Sequence, residues 1–315
     1  MTCPLFRRRR WPLSIVCLAL AACDTTVALH APAPAPLSGP TYTVYSAGDI
    51  ADCRFSRARY TGAARTADLI AAGLAHTPQA AVLSLGDHTY PVGSAAEFND
   101  CYAPTWGRFK ERTYPTPGNH EYYSRGAAGY FDYFSDFGGP QRRGYFSVDL
   151  GAWHVISLNS NLAPEDHRIQ LAWLRDDLTR HRRACTLAYW HAPLYSSGGH
   201  GDTTRMRDVW QTLHAAGAEL VLSGHDHNYE RFAPQDAFGK LDLAGGVRQF
   251  VVGTGGAFLT PLRWARPHSE ARDNSGHGVL KLELRDNGYS WQFLPAPADH
   301  DAALAPPDSG TARCH

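Results

Sequence analysis

Apolar positions recur along this chain with two periods, and each period predicts a different element. Short β-prone runs stop at a glycine or a polar residue. Thr41–Ala47 runs into Gly48-Asp49, and Ala80–Leu85 into Gly86-Asp87. Thr186–Trp190 leads straight into His191, and Glu219–Leu222 into Ser223-Gly224-His225. Helical spacing fills the intervals at Ala58–His76, Asp166–His181 and Thr203–Ala216; in the second of these Leu171, Leu174 and Leu178 share one face. Tyr145–Leu150 and Trp153–Leu158 predict a hairpin turning at Gly151. Val247–Val252 and Val279–Phe293, with a turn at Asp286-Asn287-Gly288, make the last third β-rich. Strands alternating with helices predict an α/β fold.

The same pattern places polar, metal-capable residues just beyond the strands, where an α/β sheet forms its binding crevice. Taken singly, Asp49 reads equally as a capping residue, Gly86-Asp87-His88-Thr89-Tyr90 as a helix-entry turn, and His191 as a hydrogen-bonded strand end. Pro117-Gly118-Asn119-His120-Glu121 fits a turn before a helix. Gly224-His225-Asp226-His227 says more, because two imidazoles at i and i+2 on a glycine turn suit a metal ion. Together the donors are carboxylate, imidazole, amide and phenol oxygen, a set suited to Fe, Mn or Zn. A carboxylate shared by two such ions would let them lower the pKa of a common water and offset charge on a phosphoryl oxygen. His120, beside Asn119, has the chemistry to protonate a leaving oxygen.

These five motifs, in this order between Tyr42 and about Phe293, resemble the calcineurin-like metallophosphoesterases, and within them the purple acid phosphatase group. The resemblance implies a four-layer αββα sandwich: two facing mixed β-sheets flanked by helices, with the metal cleft at the strand ends. By position it implies Asp49, Tyr90 and His227 for one ion, Asn119, His191 and His225 for the other, and Asp87 bridging them. Most of the superfamily reads Asp-x-His in the first motif, whereas residue 51 here is Ala; Tyr90 stands where the purple acid phosphatases supply a tyrosinate. That implies Fe(III) in the first site, with Zn, Fe(II) or Mn(II) in the second. The group also carries a histidine pair soon after its first metal histidine. Here His200 and Gly201 occupy those positions, which makes His200 a candidate substrate contact. The expected reaction is hydrolysis of a phosphomonoester by a metal-activated water, in line with the leaving group. A phosphodiesterase or nucleotide-cleaving enzyme, or a non-catalytic metal-binding surface lipoprotein, are the alternatives.

Several features modify this picture. Arg7–Arg10 and the apolar run Trp11–Ala22 predict a signal peptide over 1–22, too short to span a bilayer in the mature chain. Leu20-Ala21-Ala22-Cys23 matches a lipobox, so Cys23 is the expected lipid anchor of an exported, periplasmic protein; ordinary cleavage is the alternative. Residues 23–40 predict an Ala/Pro-rich spacer, 41–295 the catalytic domain and 296–315 a tail that is loosely ordered unless Cys314 ties it down. Removing 1–22 takes four arginines and no acids from a chain of 30 basic and 30 acidic residues, which leaves −4. That balance argues against a nucleic-acid partner and leaves a small phosphorylated substrate. Cys53, Cys101, Cys185 and Cys314 allow three pairings; positions after strand-end motifs favour Cys53 with Cys101, leaving Cys185 for Cys314. Gly253-Thr254-Gly255-Gly256 lacks the lysine of a phosphate loop and reads as a tight turn near the site. The aromatic cluster from Tyr122 to Phe137 either walls a pocket beside His120 or packs in the core.

Overall fold

The computed structural model describes residues 36–297 and 307–315. The signal peptide, Cys23 and most of the expected spacer lie outside the described residues. The chain starts one sheet, builds the whole of a second, then returns to complete the first. Strands β1 (Tyr42–Ala47), β2 (Ala80–Ser84) and β3 (Thr113–Pro115) begin the first sheet. Strands β4 (Phe146–Leu150), β5 (Trp153–Ser157), β6 (Cys185–Tyr189), β7 (Leu220–Ser223), β8 (Tyr229–Phe232), β9 (Arg248–Val252) and β10 (Ser269–Asp273) make the second. Strands β11 (Gly278–Arg285), β12 (Gly288–Pro295) and β13 (Ser309–Arg313) finish the first. The spatial orders are β13-β12-β11-β1-β2-β3 and β10-β8-β9-β7-β6-β5-β4. Both sheets are mixed: β1 pairs parallel with β2 and antiparallel with β11, while β6 and β7 pair parallel and β4–β5 antiparallel.

Alternation along the strands explains the layers. Val155, Leu187, Leu220 and Leu222 join a core with Val44, Val82, Leu280 and Leu282 of the other sheet. Their neighbours Ile156, Ala188 and Val221 face the opposite way, onto Leu171 and Leu174 of the helix Pro164–Arg180 and Val209 and Leu213 of the helix Arg207–Ala215. The helix Gly62–His76 buries Ala63, Thr66, Ala67, Ile70 and Leu74, one stripe of 3.6 periodicity. The result is the four-layer αββα sandwich.

The structure adjusts several predicted elements. Ala58–His76 is not one helix: extended Thr61 (ψ 163°) separates a turn at Ala58–Tyr60 from Gly62–His76, and its hydroxyl caps the Ala64 N–H. The predicted helix Thr203–Ala216 begins only at Arg207. The sequence pattern predicts no strand at β3, β8, β10 or β13: β3 and β8 are only three and four residues long, and β10 and β13 are polar edge strands with no apolar alternation. The end of the tail is tied down through Cys314, the condition under which its order is expected. Residues Ser309–Arg313 pair with β12, Asp308 accepts from Arg231 Nε at 2.7 Å, and Cys314 is bonded to Cys185. Both favoured disulfides are present, with Cα atoms 5.9 Å apart at Cys53–Cys101 and 5.6 Å at Cys185–Cys314.

Candidate metal centre

Four strands deliver the site. Asp49 follows β1 and Asp87 follows β2 in the first sheet; His191 follows β6 and His225 follows β7 in the second. Three of these four residues have left-handed backbones, with φ 58° at Asp49, 48° at Asp87 and 71° at His225. Asp and His tolerate that region better than most side chains, which favours these residue types at the turns. Backbone bonds from Asp49 N to Gly86 O (3.1 Å) and from Ile50 N to Asp87 O (2.9 Å) lace the first two turns together. Glycine gives the clearance. A Cβ at Gly224 or Gly253 would strike the Asp49 carboxylate, and one at Gly118 would strike Asp87. The turn at Gly253–Gly256 therefore closes over the site, as its sequence suggested.

The side chains gather in two groups that share one oxygen. The Tyr90 hydroxyl lies 3.1 Å from Asp49 Oδ1, 3.3 Å from Asp87 Oδ2 and 3.3 Å from His227 Nε2. Across the cleft His191 Nε2 lies 3.0 Å from Asn119 Oδ1, 3.1 Å from His225 Nδ1 and 3.3 Å from the same Asp87 Oδ2. All seven residues singled out as metal ligands thus converge, with Asp87 between the two groups. Position 51 contributes backbone only: Ala51 N donates to His88 O and Ala51 O accepts from Tyr90 N, extending the β1–β2 ladder to the tyrosine.

The tautomers show what the site lacks on its own. His191 Nδ1 is 2.8 Å from the Leu85 carbonyl and His227 Nδ1 is 2.5 Å from the Phe258 carbonyl. A carbonyl only accepts, so each Nδ1 carries the hydrogen and each Nε2 of a neutral ring presents a lone pair. Those lone pairs face carboxylate and amide oxygens. Only a cation, proton or metal, reconciles them. Burial alone would lower His191, yet the Asp87 and Asp49 carboxylates push it up to about 10. His225 is driven down to about 4 by burial and by His191. Burial would raise Asp49 and Asp87, but His227 and His191 respectively hold them below the usual carboxylate range. Burial, then Asp49 and Asp87, raise the Tyr90 phenol. Oxygen and nitrogen donors arranged this way, with each fixed imidazole held from behind, fit a pair of metal ions.

His120 and His200 sit at the rim. His120 N donates to Asp87 Oδ1 at 2.9 Å, its Nδ1 is 2.6 Å from the Pro91 carbonyl, and its Nε2 is 3.8 Å from Asp87 Oδ2. The exposed His200 ring stacks 4.4 Å from His225 between centroids, and its backbone N donates to Asp226 Oδ1. Two acids inside the quoted motifs had been assigned no role. Buried Glu121 accepts from Gly118 N (2.7 Å), Asp87 N (3.0 Å) and His88 N (2.8 Å), tying two ligand turns together. Buried Asp226 accepts from Ser196 Oγ, His200 N and Gly201 N and so shapes the His200 loop. Neither was legible, because a motif shows residue type and not which way a side chain turns. Of the aromatic cluster, Tyr130, Phe131 and Phe134 are core, while exposed Tyr123 lies beside His120.

The family model for calcineurin-like phosphoesterases matches residues 40–229. The chain belongs to that family. Within it the chain falls in the purple acid phosphatase-like group. It is 29% identical to purple acid phosphatase 15 of Arabidopsis thaliana over 261 residues, covering 71% of this chain and 48% of that protein. It is 32% identical to purple acid phosphatase 21 of the same plant over 159 residues, covering 47% of this chain and 36% of that protein. The chain thus spans half or less of the length of these relatives. Among solved structures, the purple acid phosphatase PPD1 from yellow lupin (Lupinus luteus) seeds shares the fold, with a TM-score of 0.69 at 18% identity, covering 88% of this chain and 55% of that one. A calcineurin-like phosphoesterase of this group implies a dinuclear metal centre, and the two donor groups around Asp87 agree with that.

Proposed function

We propose that this phosphoesterase hydrolyses phosphate monoesters with two metal ions held by the residues converging on Asp87. Asp49, Tyr90 and His227 would hold one ion, and Asn119, His191 and His225 the other, with Asp87 shared. The observation that carries this reading is the pair of fixed Nε2 lone pairs, on His191 and His227, aimed at acceptor oxygens in a buried cleft. When bound, the two ions supply an activated water and offset charge on the phosphoryl oxygens. The chain's own residues do the rest. His120 keeps its Nδ1 hydrogen on the Pro91 carbonyl, so in the protonated ring Nε2–H is the group that would give a proton to the leaving oxygen. His200, exposed beside His225, would donate to a phosphoryl oxygen; its ring contact with His225 supports that role. A phenol among the donors favours a hard trivalent ion, so Fe(III) with Zn, Fe(II) or Mn(II) is the proposed pair. The substrate is a small phosphorylated molecule, met in the periplasm by an enzyme lipid-anchored at Cys23.

A paired rate assay tests this: an aryl phosphate monoester against the matching diester, with defined Fe, Zn and Mn loading. Faster monoester turnover that chelation abolishes supports the proposal, as does a visible absorbance band from phenolate bound to iron. Faster diester turnover moves the substrate class. No turnover on either substrate refutes the enzymatic reading.

A further inference from the structure

A second cluster of metal-capable side chains lies outside the donor groups just described, where the edge of the second sheet meets a helix end. Asp149 comes from edge strand β4, His154 from β5, and His181 caps the helix Pro164–Arg180. One donor atom from each lies within 4.8 Å of the others. His154 Nδ1 is 3.0 Å from Asp149 Oδ1, and the rings of His154 and His181 are parallel to within 3° at 5.0 Å.

Two of the three donors are held from behind. His154 Nε2 sits 2.8 Å from Asp177 Oδ2, and Asp177 Oδ1 in turn accepts from Ser147 Oγ at 2.8 Å. Arg183 donates to Asp149 Oδ2 from Nε (3.1 Å) and from its terminal nitrogen (2.6 Å), which leaves Oδ1 to face the imidazole. A carboxylate behind a histidine is the usual outer partner of a metal-bound ring, fixing its tautomer and orientation. The front is open. The side chains of Asp149 and His181 are 32% and 47% exposed, and a cavity of about 730 Å³ opens onto His181 and Arg183.

We infer that Asp149, His154 and His181 form a separate zinc site that pins edge strand β4 and its hairpin partner to the helix end. Two imidazoles and a carboxylate match the donor preference of zinc, with solvent completing the shell. Donors around a tetrahedral zinc lie about 2.0–2.2 Å from the ion. Reaching that geometry needs only a swing of the exposed His181 ring, since Asp149 and His154 already touch. A zinc ion there links three elements, and its removal frees one edge of the sheet.

The purified wild-type protein is dialysed to equilibrium against zinc beside His181→Ala and Asp149→Asn. Bound zinc is counted per chain, and Tm is read with and without the ion. His181 is exposed and Asp149→Asn conserves shape, so both variants keep the fold and leave the ligands around Asp87 untouched. Each variant is expected to hold one zinc ion fewer per chain than wild type at equal free zinc. Each should also lose part of the zinc-dependent rise in Tm. An unchanged zinc count in either variant overturns the inference.

Discussion

Replacing Glu121 by Gln tests whether the metal cleft is preset by the fold. The Glu121 carboxylate is buried and accepts three backbone N–H groups: Oε2 takes those of Gly118 and Asp87, and Oε1 that of His88. Asp87 is the shared donor of the cleft and Gly118 precedes Asn119, so one side chain sets two ligand turns. Gln keeps one acceptor oxygen. Placed at the Oε2 position, it preserves the bonds to Asp87 and Gly118 and aims its NH2 at the His88 N–H, donor against donor. A hydrogen bond to a charged acceptor contributes about 1.5–3 kcal/mol, and a buried unsatisfied donor costs about 1–3 kcal/mol, so the change should destabilise by roughly 2–4 kcal/mol. Ala removes all three bonds and should cost on the order of 5 kcal/mol. At about 2–4 °C per kcal/mol for chains of this size, Glu121→Gln lowers Tm by roughly 4–16 °C. Loss of an outer support of this kind typically weakens metal affinity about 10–100-fold. Thermal melts of metal-free protein and metal titrations of both variants give the two readouts. A Gln variant with wild-type Tm and wild-type metal affinity refutes the reasoning. A lower Tm with unchanged affinity would show that Glu121 holds the fold but not the cleft.

The other expectations are simpler to measure. His120→Ala should retain its metals by elemental analysis while kcat falls about 10²–10⁴-fold, and a full rate would exclude proton donation from this ring. Chelation should lower Tm, because ions bound to the native state alone stabilise it by about 4 kcal/mol at a free concentration 1,000 times Kd; an unchanged melt would mean the cleft binds none. Burial alone would lower His154, but hydrogen bonds to Asp177 and Asp149 raise it above its ordinary value. In chelated protein its contribution to stability is therefore complete below about pH 6.5 and lost as pH rises through the raised value. Urea midpoints across that range should decline in wild type and decline less in His154→Gln. Cys314→Ser opens a link between residues 129 apart in sequence and should cost about 2–4 kcal/mol. Faster amide exchange along β12 and β13 would accompany that loss, and unchanged protection would show that the bonds of Asp308 to Arg231 and of His315 N to Glu219 Oε1 (3.0 Å) suffice to hold the strand.

The central strands and the ligand set were legible because both leave a mark on residue type. β1, β2, β6, β7 and β9 are apolar runs bounded by turn residues, and the ligands follow four of them directly. What could not be read has three physical causes. Edge strands such as β10 (Ser-Glu-Ala-Arg-Asp) and β13 (Ser-Gly-Thr-Ala-Arg) bury too little to need alternating apolar residues, so no period marks them. Helix starts depend on local caps: Thr61 divides a stretch whose composition is helical throughout. Supporting residues are chosen by direction. Glu121 sits in a recognisable motif, yet its three bonds depend on a short helix that turns it away from the cleft and under the Asp87 loop.

The left-handed backbones at Asp49, Asp87 and His225 explain why support of this kind is needed at all. A strand continued in the extended conformation sends successive side chains to opposite faces of its sheet, away from the crevice. One residue at positive φ breaks that alternation at the strand's end. It turns a carboxylate or an imidazole across the top of the sandwich, where side chains from both sheets can meet. Each such residue costs of order 1–2 kcal/mol, and three occur within one small cleft. Bringing buried carboxylates and imidazole lone pairs together adds to that cost until a cation arrives. The compensation is on the backbone: Gly86 and Asp87 carbonyls accept from Asp49 and Ile50, Asp49 Oδ2 accepts from His225 N at 2.8 Å, and Glu121 gathers three N–H groups beneath. The bond from His225 N and the three to Glu121 all use a carboxylate to hold a backbone N–H, and in Asp49 that carboxylate is also one of the proposed donors. A site built this way is rigid before metal binds, and its donors lose little freedom when it does.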